Sequence, residues 1–87
     1  MASYSLVFKK SVAKDLRFIP NKNVKRILER INSLCENPRA DGCTKLSGQE
    51  FYRIRQGVYR IIYEIQDSKL VILVVKVAHR SEVYKGS

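Results

Sequence analysis

Hydrophobic positions change their period along this chain, and each change predicts a different kind of element. Tyr4 to Phe8 alternates weakly and reads as a short first strand. Val12, Leu16 and Ile19 then recur at helical spacing, so a short amphipathic helix is expected from about Lys9 to Phe18, ended by Pro20. Val24, Ile27, Leu28, Ile31, Leu34 and Cys35 trace the apolar stripe of a second helix, with Lys22, Lys25, Arg26, Glu29 and Arg30 on its other side. Asn21 or Asn23 suits its N-cap, and Asn37-Pro38 marks its stop. So short a Pro/Asn connection predicts an antiparallel helical hairpin.

Arg39 to Glu50 is polar and contains glycine, which predicts a loop. Beyond it the period is two. Phe51 to Arg55 reads as a strand, Gln56-Gly57 as a tight turn and Val58 to Ile65 as the next strand. Gln66 to Lys69 turns the chain again, and Leu70 to Ala78 is the last strand. The order β-α-α-β-β-β makes an α+β fold: a small, mainly antiparallel sheet with the helical hairpin packed on one face. With no repeat or linker, residues 1–87 read as one domain.

Alternation sorts the strand residues into two faces. Tyr59, Ile61, Tyr63 and Ile65 share one side of the middle strand, and Arg60, Ile62 and Glu64 the other. Arg53 and Arg55 lie opposite Tyr52 and Ile54 on the strand before it. On the last strand, Val71, Leu73, Val75 and Val77 form an apolar set, and Ile72, Val74, Lys76 and Arg80 the alternative one. Placing the apolar sets under the helices gathers Arg53, Arg55, Arg60, Lys76 and Arg80 on the open face. A single extra residue in a strand would flip part of this assignment.

Charge gives that face a meaning. Lys and Arg number 17 against 8 Asp and Glu, for a net charge of +9. With 45% hydrophobic residues, the chain is no disordered basic tail. No apolar run approaches the ~20 residues of a membrane span, and the start lacks the charged and apolar regions of a signal peptide. A cytoplasmic protein without a membrane partner is expected. Cys35 and Cys43 are too few for a disulfide framework and sit at no metal spacing, and His79 is the one histidine. The expectation is a domain without metal or cofactor.

Arginine suits phosphate because its planar fork pairs two oxygens and keeps its charge. Cations on the helices as well as on the sheet predict a large polyanion such as structured RNA. On exposed helices such charge is equally well explained as a solvated surface. On neighbouring strands it is not, since like charges side by side are destabilising without an anion. Two readings stay open for His79: acid, base or phosphate donor, or a structural residue on the helix-covered side. Tyr84, beside Lys85, can stack on a base or donate a proton.

The sequence resembles the RelE/ParE superfamily of toxin–antitoxin toxins, and within it the RelE branch of messenger-RNA-cutting enzymes. The resemblance runs through Tyr4-Ser5-Leu6-Val7-Phe8, Ala13-Lys14-Asp15-Leu16 and Lys45-Leu46-Ser47-Gly48. Its most specific parts are the run from Tyr52 to Ile65 and the close from Val77 to Tyr84. It implies an endoribonuclease that cuts mRNA in the ribosomal A site by 2′-OH attack on the adjacent phosphate. Arg60, Arg80, Tyr84, Arg53 and Arg55 are the implied catalytic set. Lys45, Lys76, His79 and Lys85 are the implied RNA contacts. Arginine rarely gives up its proton, which argues against a general-base role for Arg53 or Arg55. The implied partners are a cognate antitoxin, the ribosome and mRNA, with operator DNA reached only through the antitoxin complex. The alternatives are a ParE-like inhibitor of DNA gyrase, or a basic RNA-binding relative without activity.

Overall fold

The computed structural model describes residues 3–46 and 50–81 of the chain. Strand β1 (Ser5–Phe8) leads into helix α1 (Lys10–Arg17) and helix α2 (Asn21–Leu34). Strands β2 (Thr44–Lys45), β3 (Phe51–Gln56), β4 (Tyr59–Gln66) and β5 (Val71–His79) follow, with a short 3-10 turn (Asp67–Lys69) before the last. They form one sheet in the order β1-β5-β4-β3-β2. Only β1 pairs in parallel, with β5, so the α+β, mainly antiparallel fold expected from the sequence is borne out. The expected loop before β3 holds one strand more: Thr44 and Lys45 pair with Arg53 and Tyr52. Two residues carry too little periodicity to announce a strand.

The helices cover the sheet face that carries Tyr52, Ile54, Ile61, Tyr63, Ile65, Ile72, Val74 and Val77. Val12 of α1 and Ile27, Ile31 and Leu34 of α2 complete this core. The α2 stripe is therefore centred on Ile27 and Ile31, with Val24 and Leu28 half-buried at its margin. Pro20 serves as the N-cap of α2, and neither Asn21 nor Asn23 caps it. The Asn23 amide donates instead to the Tyr59 hydroxyl, 3.5 Å away. Tyr63, fully buried, donates its hydroxyl to the carbonyl of Pro38 at 2.7 Å and so ties down the chain after α2. Burial first, and Cys43 second, push its phenol above the usual tyrosine range.

β5 departs from the expected alternation. Leu70 takes a left-handed conformation (φ 53°) that closes the 3-10 turn, so the strand starts at Val71. Further on, Tyr63 pairs with Val74 but Ile62 pairs with Lys76, which leaves Val75 as an extra, bulged residue. Ile72 and Val74 therefore face the helices before the bulge, and Val77 after it. Val71 and Leu73 fall on the open side, the reverse of the expected phase.

Candidate active site

The β3–β4 hairpin sets the spacing of the arginines. Gly57, at φ +60°, takes the first central position of a two-residue turn, and Val58 takes the second. The turn sits one residue later than the sequence pattern suggested. It fixes the register so that Gln56 faces Tyr59, Arg55 faces Arg60 and Arg53 faces Ile62. Arg55 and Arg60 are thus direct cross-strand neighbours, with Cβ atoms about 4.5–5.5 Å apart in such pairs. Among the described residues, no carboxylate lies within ion-pair distance of Arg53, Arg55 or Arg60. Arg60 is half-buried, and its Nε is buried without a hydrogen-bond partner. A buried donor of this kind gains by meeting an incoming oxygen.

Arg80 follows directly after β5, and its side chain is exposed. Its backbone N–H donates to the Val58 carbonyl at 2.7 Å, which holds it at the hairpin end of the sheet. Glu64 sits on the same open side but towards the other end of β4, opposite Phe51 and Leu73, and accepts from Gln66. Among the described residues, the open face is therefore cationic at the hairpin end and carries its acidic residue, Glu64, towards the other.

Other residues named from the sequence are placed elsewhere. Lys76 is in register with Ile62, on the open side of β4, but its charge is balanced within the chain rather than left open as expected. Its Nζ lies 3.0 Å from Asp15 Oδ1 of α1, in an ion pair. Lys45 is exposed on β2, in register with Tyr52 rather than Arg53, and reaches Glu50 at 3.7 Å. His79 pairs with Tyr59, on the helix side of the sheet, and the two rings meet edge to face at 5.6 Å. Ser81 folds back onto it, with its backbone N–H donating to Nδ1 at 3.1 Å. The fold thus separates His79 from Arg55 and Arg60. Tyr84 and Lys85 lie outside the described residues.

Asp15 has a structural place that composition alone did not single out. It is the one acidic residue of α1, and its side chain is only 14% exposed. Its spacing from Val12 and Leu16 puts it on the inward side of the helix, a signal legible in hindsight.

The site and fold define a compact basic domain with an uncompensated arginine cluster on an open sheet face, and comparison with known proteins agrees. The family model described as the ParE toxin of type II toxin–antitoxin system, parDE, matches residues 6–84. The chain belongs to this family of type II toxin–antitoxin toxins. The mRNA interferase toxin RelE of Escherichia coli K12 is 31% identical over 87 residues, covering 94% of this chain and 90% of its own. The archaeal RelE–RelB complex from Pyrococcus horikoshii OT3 superimposes with a TM-score of 0.82 at 30% identity, over 93% of this chain and 99% of that one. The intact E. coli RelBE toxin–antitoxin complex gives 0.79 at 25% identity, over 92% and 100%. The resemblance to the RelE/ParE superfamily is borne out.

Proposed function

We propose that this toxin is an endoribonuclease that cuts mRNA in the ribosomal A site and so stops translation. The observation that carries the reading is the Arg55–Arg60 pair, two like charges face to face with Arg53 beside them and, among the described residues, no carboxylate to balance them. A polyanion is the partner that makes such a pair favourable. The name of the E. coli relative, an mRNA interferase, supports RNA as that polyanion.

In the proposed reaction the 2′-OH of one nucleotide attacks the adjacent phosphorus. The O2′–P bond forms, the P–O5′ bond breaks, and the 5′-oxygen leaves with a proton. Arg60 and Arg80 stabilise the charge that builds on the phosphorane oxygens. Arg53 and Arg55 hold the flanking phosphates. Tyr84 stacks on a splayed base or assists proton transfer. Among the described residues, the open face holds no acid–base group placed beside the arginines. Such a site depends on its host to bring the 2′-OH into line, which fits a ribosome-bound substrate.

The complexes with RelB support a cognate antitoxin as the second partner. A groove of about 310 Å³ between α1 and α2, lined by Phe8, Val12, Leu16 and Leu28 and edged by Lys9 and Lys10, suits an acidic amphipathic segment of it. Operator DNA is reached through that complex. No helix among the described residues is long and apolar enough to cross a membrane. The site of action is the cytoplasm, where ribosomes work.

Primer extension on messages from a translation reaction containing the purified toxin tests the reading. Breaks within codons at the ribosomal A site are expected. Intact messages together with inhibited DNA supercoiling would replace it with the gyrase reading. Tyr84→Phe should keep most cleavage if the ring stacks, and Tyr84→Ala should lose about 1–3 kcal/mol.

A further inference from the structure

We infer that Asp15 is a positioning residue for the proposed active site: through the end of β5 it sets where Arg80 stands relative to Arg60. The inference rests on the cleavage reading above and adds to it a residue outside the arginine face. β5 loses its outer strand neighbour partway along its length. The parallel ladder with β1 ends at Phe8 and Val74, closed by the Lys9 N–H donating to the Val74 carbonyl at 2.9 Å. The bulge at Val75 follows immediately. From Lys76 to His79, where β5 pairs with the arginine end of β4, no strand among the described residues pairs with its outer edge.

Asp15 stands in for the missing strand. Its Oδ2 accepts the Val77 backbone N–H at 3.2 Å, and its Oδ1 meets Lys76 Nζ at 3.0 Å. The next residue along β5, Ala78, is the cross-strand partner of Arg60, and Arg80 follows two positions later. A largely buried carboxylate, anchored on a helix, thus grips the backbone one residue before the Arg60 pair. Without it, the backbone of the strand end that carries Arg80 relies on its β4 pairing and the Arg80–Val58 hydrogen bond, together with the contacts His79 makes to Tyr59 and Ser81. Catalysis by positioned charge is sensitive to such shifts, and a displacement of about 1 Å far from the chemistry can cost about a hundredfold in rate.

The test compares Asp15→Ala, Asp15→Asn, Arg80→Ala and the Asp15→Ala/Arg80→Ala double variant. Message cleavage is measured on programmed ribosomes, and thermal melts and Val77 amide exchange are measured alongside. Asp15→Ala should lower kcat by about a hundredfold while the apparent ribosome affinity stays within a few-fold. Asp15→Asn keeps an acceptor for Val77 and should recover most of the loss. Adding Asp15→Ala to Arg80→Ala should cost nothing further, because the two act through one group. Val77 exchange should quicken in Asp15→Ala and not in Asp15→Asn. Additive losses, unchanged kcat in folded Asp15→Ala, or unchanged Val77 exchange would each overturn the inference. A wild-type protein that cuts nothing defeats the cleavage reading itself, visibly and before any variant is compared, and the inference falls with it.

Discussion

Arg39 and the Arg53–Arg55–Arg60 group carry the same side chain into opposite surroundings. Arg39 donates to both carboxylate oxygens of Asp67, at 3.0 and 3.5 Å, and its Nε donates to the Tyr52 hydroxyl at 3.3 Å. Its guanidinium carbon also lies 5.5 Å from the centre of the Tyr52 ring. Asp67 takes the Tyr4 hydroxyl as well, at 2.6 Å, so one clasp joins the segment after α2, the start of β1 and the β4–β5 turn. Arg55, by contrast, faces Arg60, and the face arginines have no carboxylate among the described residues. In the clasp the charge is spent within the chain and holds loops together. On the open face no such partner stands among the described residues, and like charges side by side work against the fold. An arginine count by itself cannot separate these uses, because the distinction lies in what each guanidinium can reach.

Substitutions at the two places should therefore have opposite signatures. Arg60→Ala is expected to lose about 3 kcal/mol of transition-state stabilisation, a hundredfold or more in cleavage rate, with no loss in the melt. A folded Arg60→Ala protein that cuts at the wild-type rate would remove the open face from the chemistry. Arg39→Ala should do the reverse. It should cost on the order of 1 kcal/mol of stability and leave cleavage per folded molecule unchanged. Arg55→Gln should raise the melt by a few tenths of a kcal/mol, since it relieves a like-charge pair. It should also reduce the salt slope of ribosome or RNA binding by about 1. An unaltered slope would mean that Arg55 meets no phosphate.

The smallest effect separates the regions by pH. Arg39 first, and Tyr4 second, hold the Asp67 carboxyl below its ordinary 3.8. A depressed carboxylate contributes stability above its unfolded value and loses it as pH falls through the folded one, so the clasp fades below about pH 4. Asp67 in turn raises the Tyr4 phenol above 10.0. That contribution is present below about pH 10 and is lost as pH rises through the folded value. Asp67→Asn should flatten both limbs of the stability profile in a denaturant series. Limbs as steep as those of the wild type would place their origin outside the clasp.

Much of the fold was legible because burial is periodic. The α2 stripe and the Tyr52/Ile54 and Ile61/Tyr63/Ile65 sets are local patterns, and with the glycine turn they place Arg53, Arg55 and Arg60 on one face. The phase of β5 was not legible. Val71, Leu73, Val75 and Val77 are apolar, but so are Ile72 and Val74, and no polar residue breaks the tie before Lys76. Two-residue β2 carries too little pattern for any period to be read.

By itself the sequence determined the two helices, the three-stranded meander, the family and the shared face of Arg53, Arg55 and Arg60, because helix and strand periods and a two-residue turn act over short distances along the chain. Tertiary structure alone decided that β5 bulges at Val75, that Lys76 turns to Asp15, and that Arg39 is bound to Asp67. These outcomes depend on groups far apart in the chain, such as Asp15 and Val77: helical spacing turns Asp15 inward, but which backbone N–H it meets is set by how α1 lies on β5.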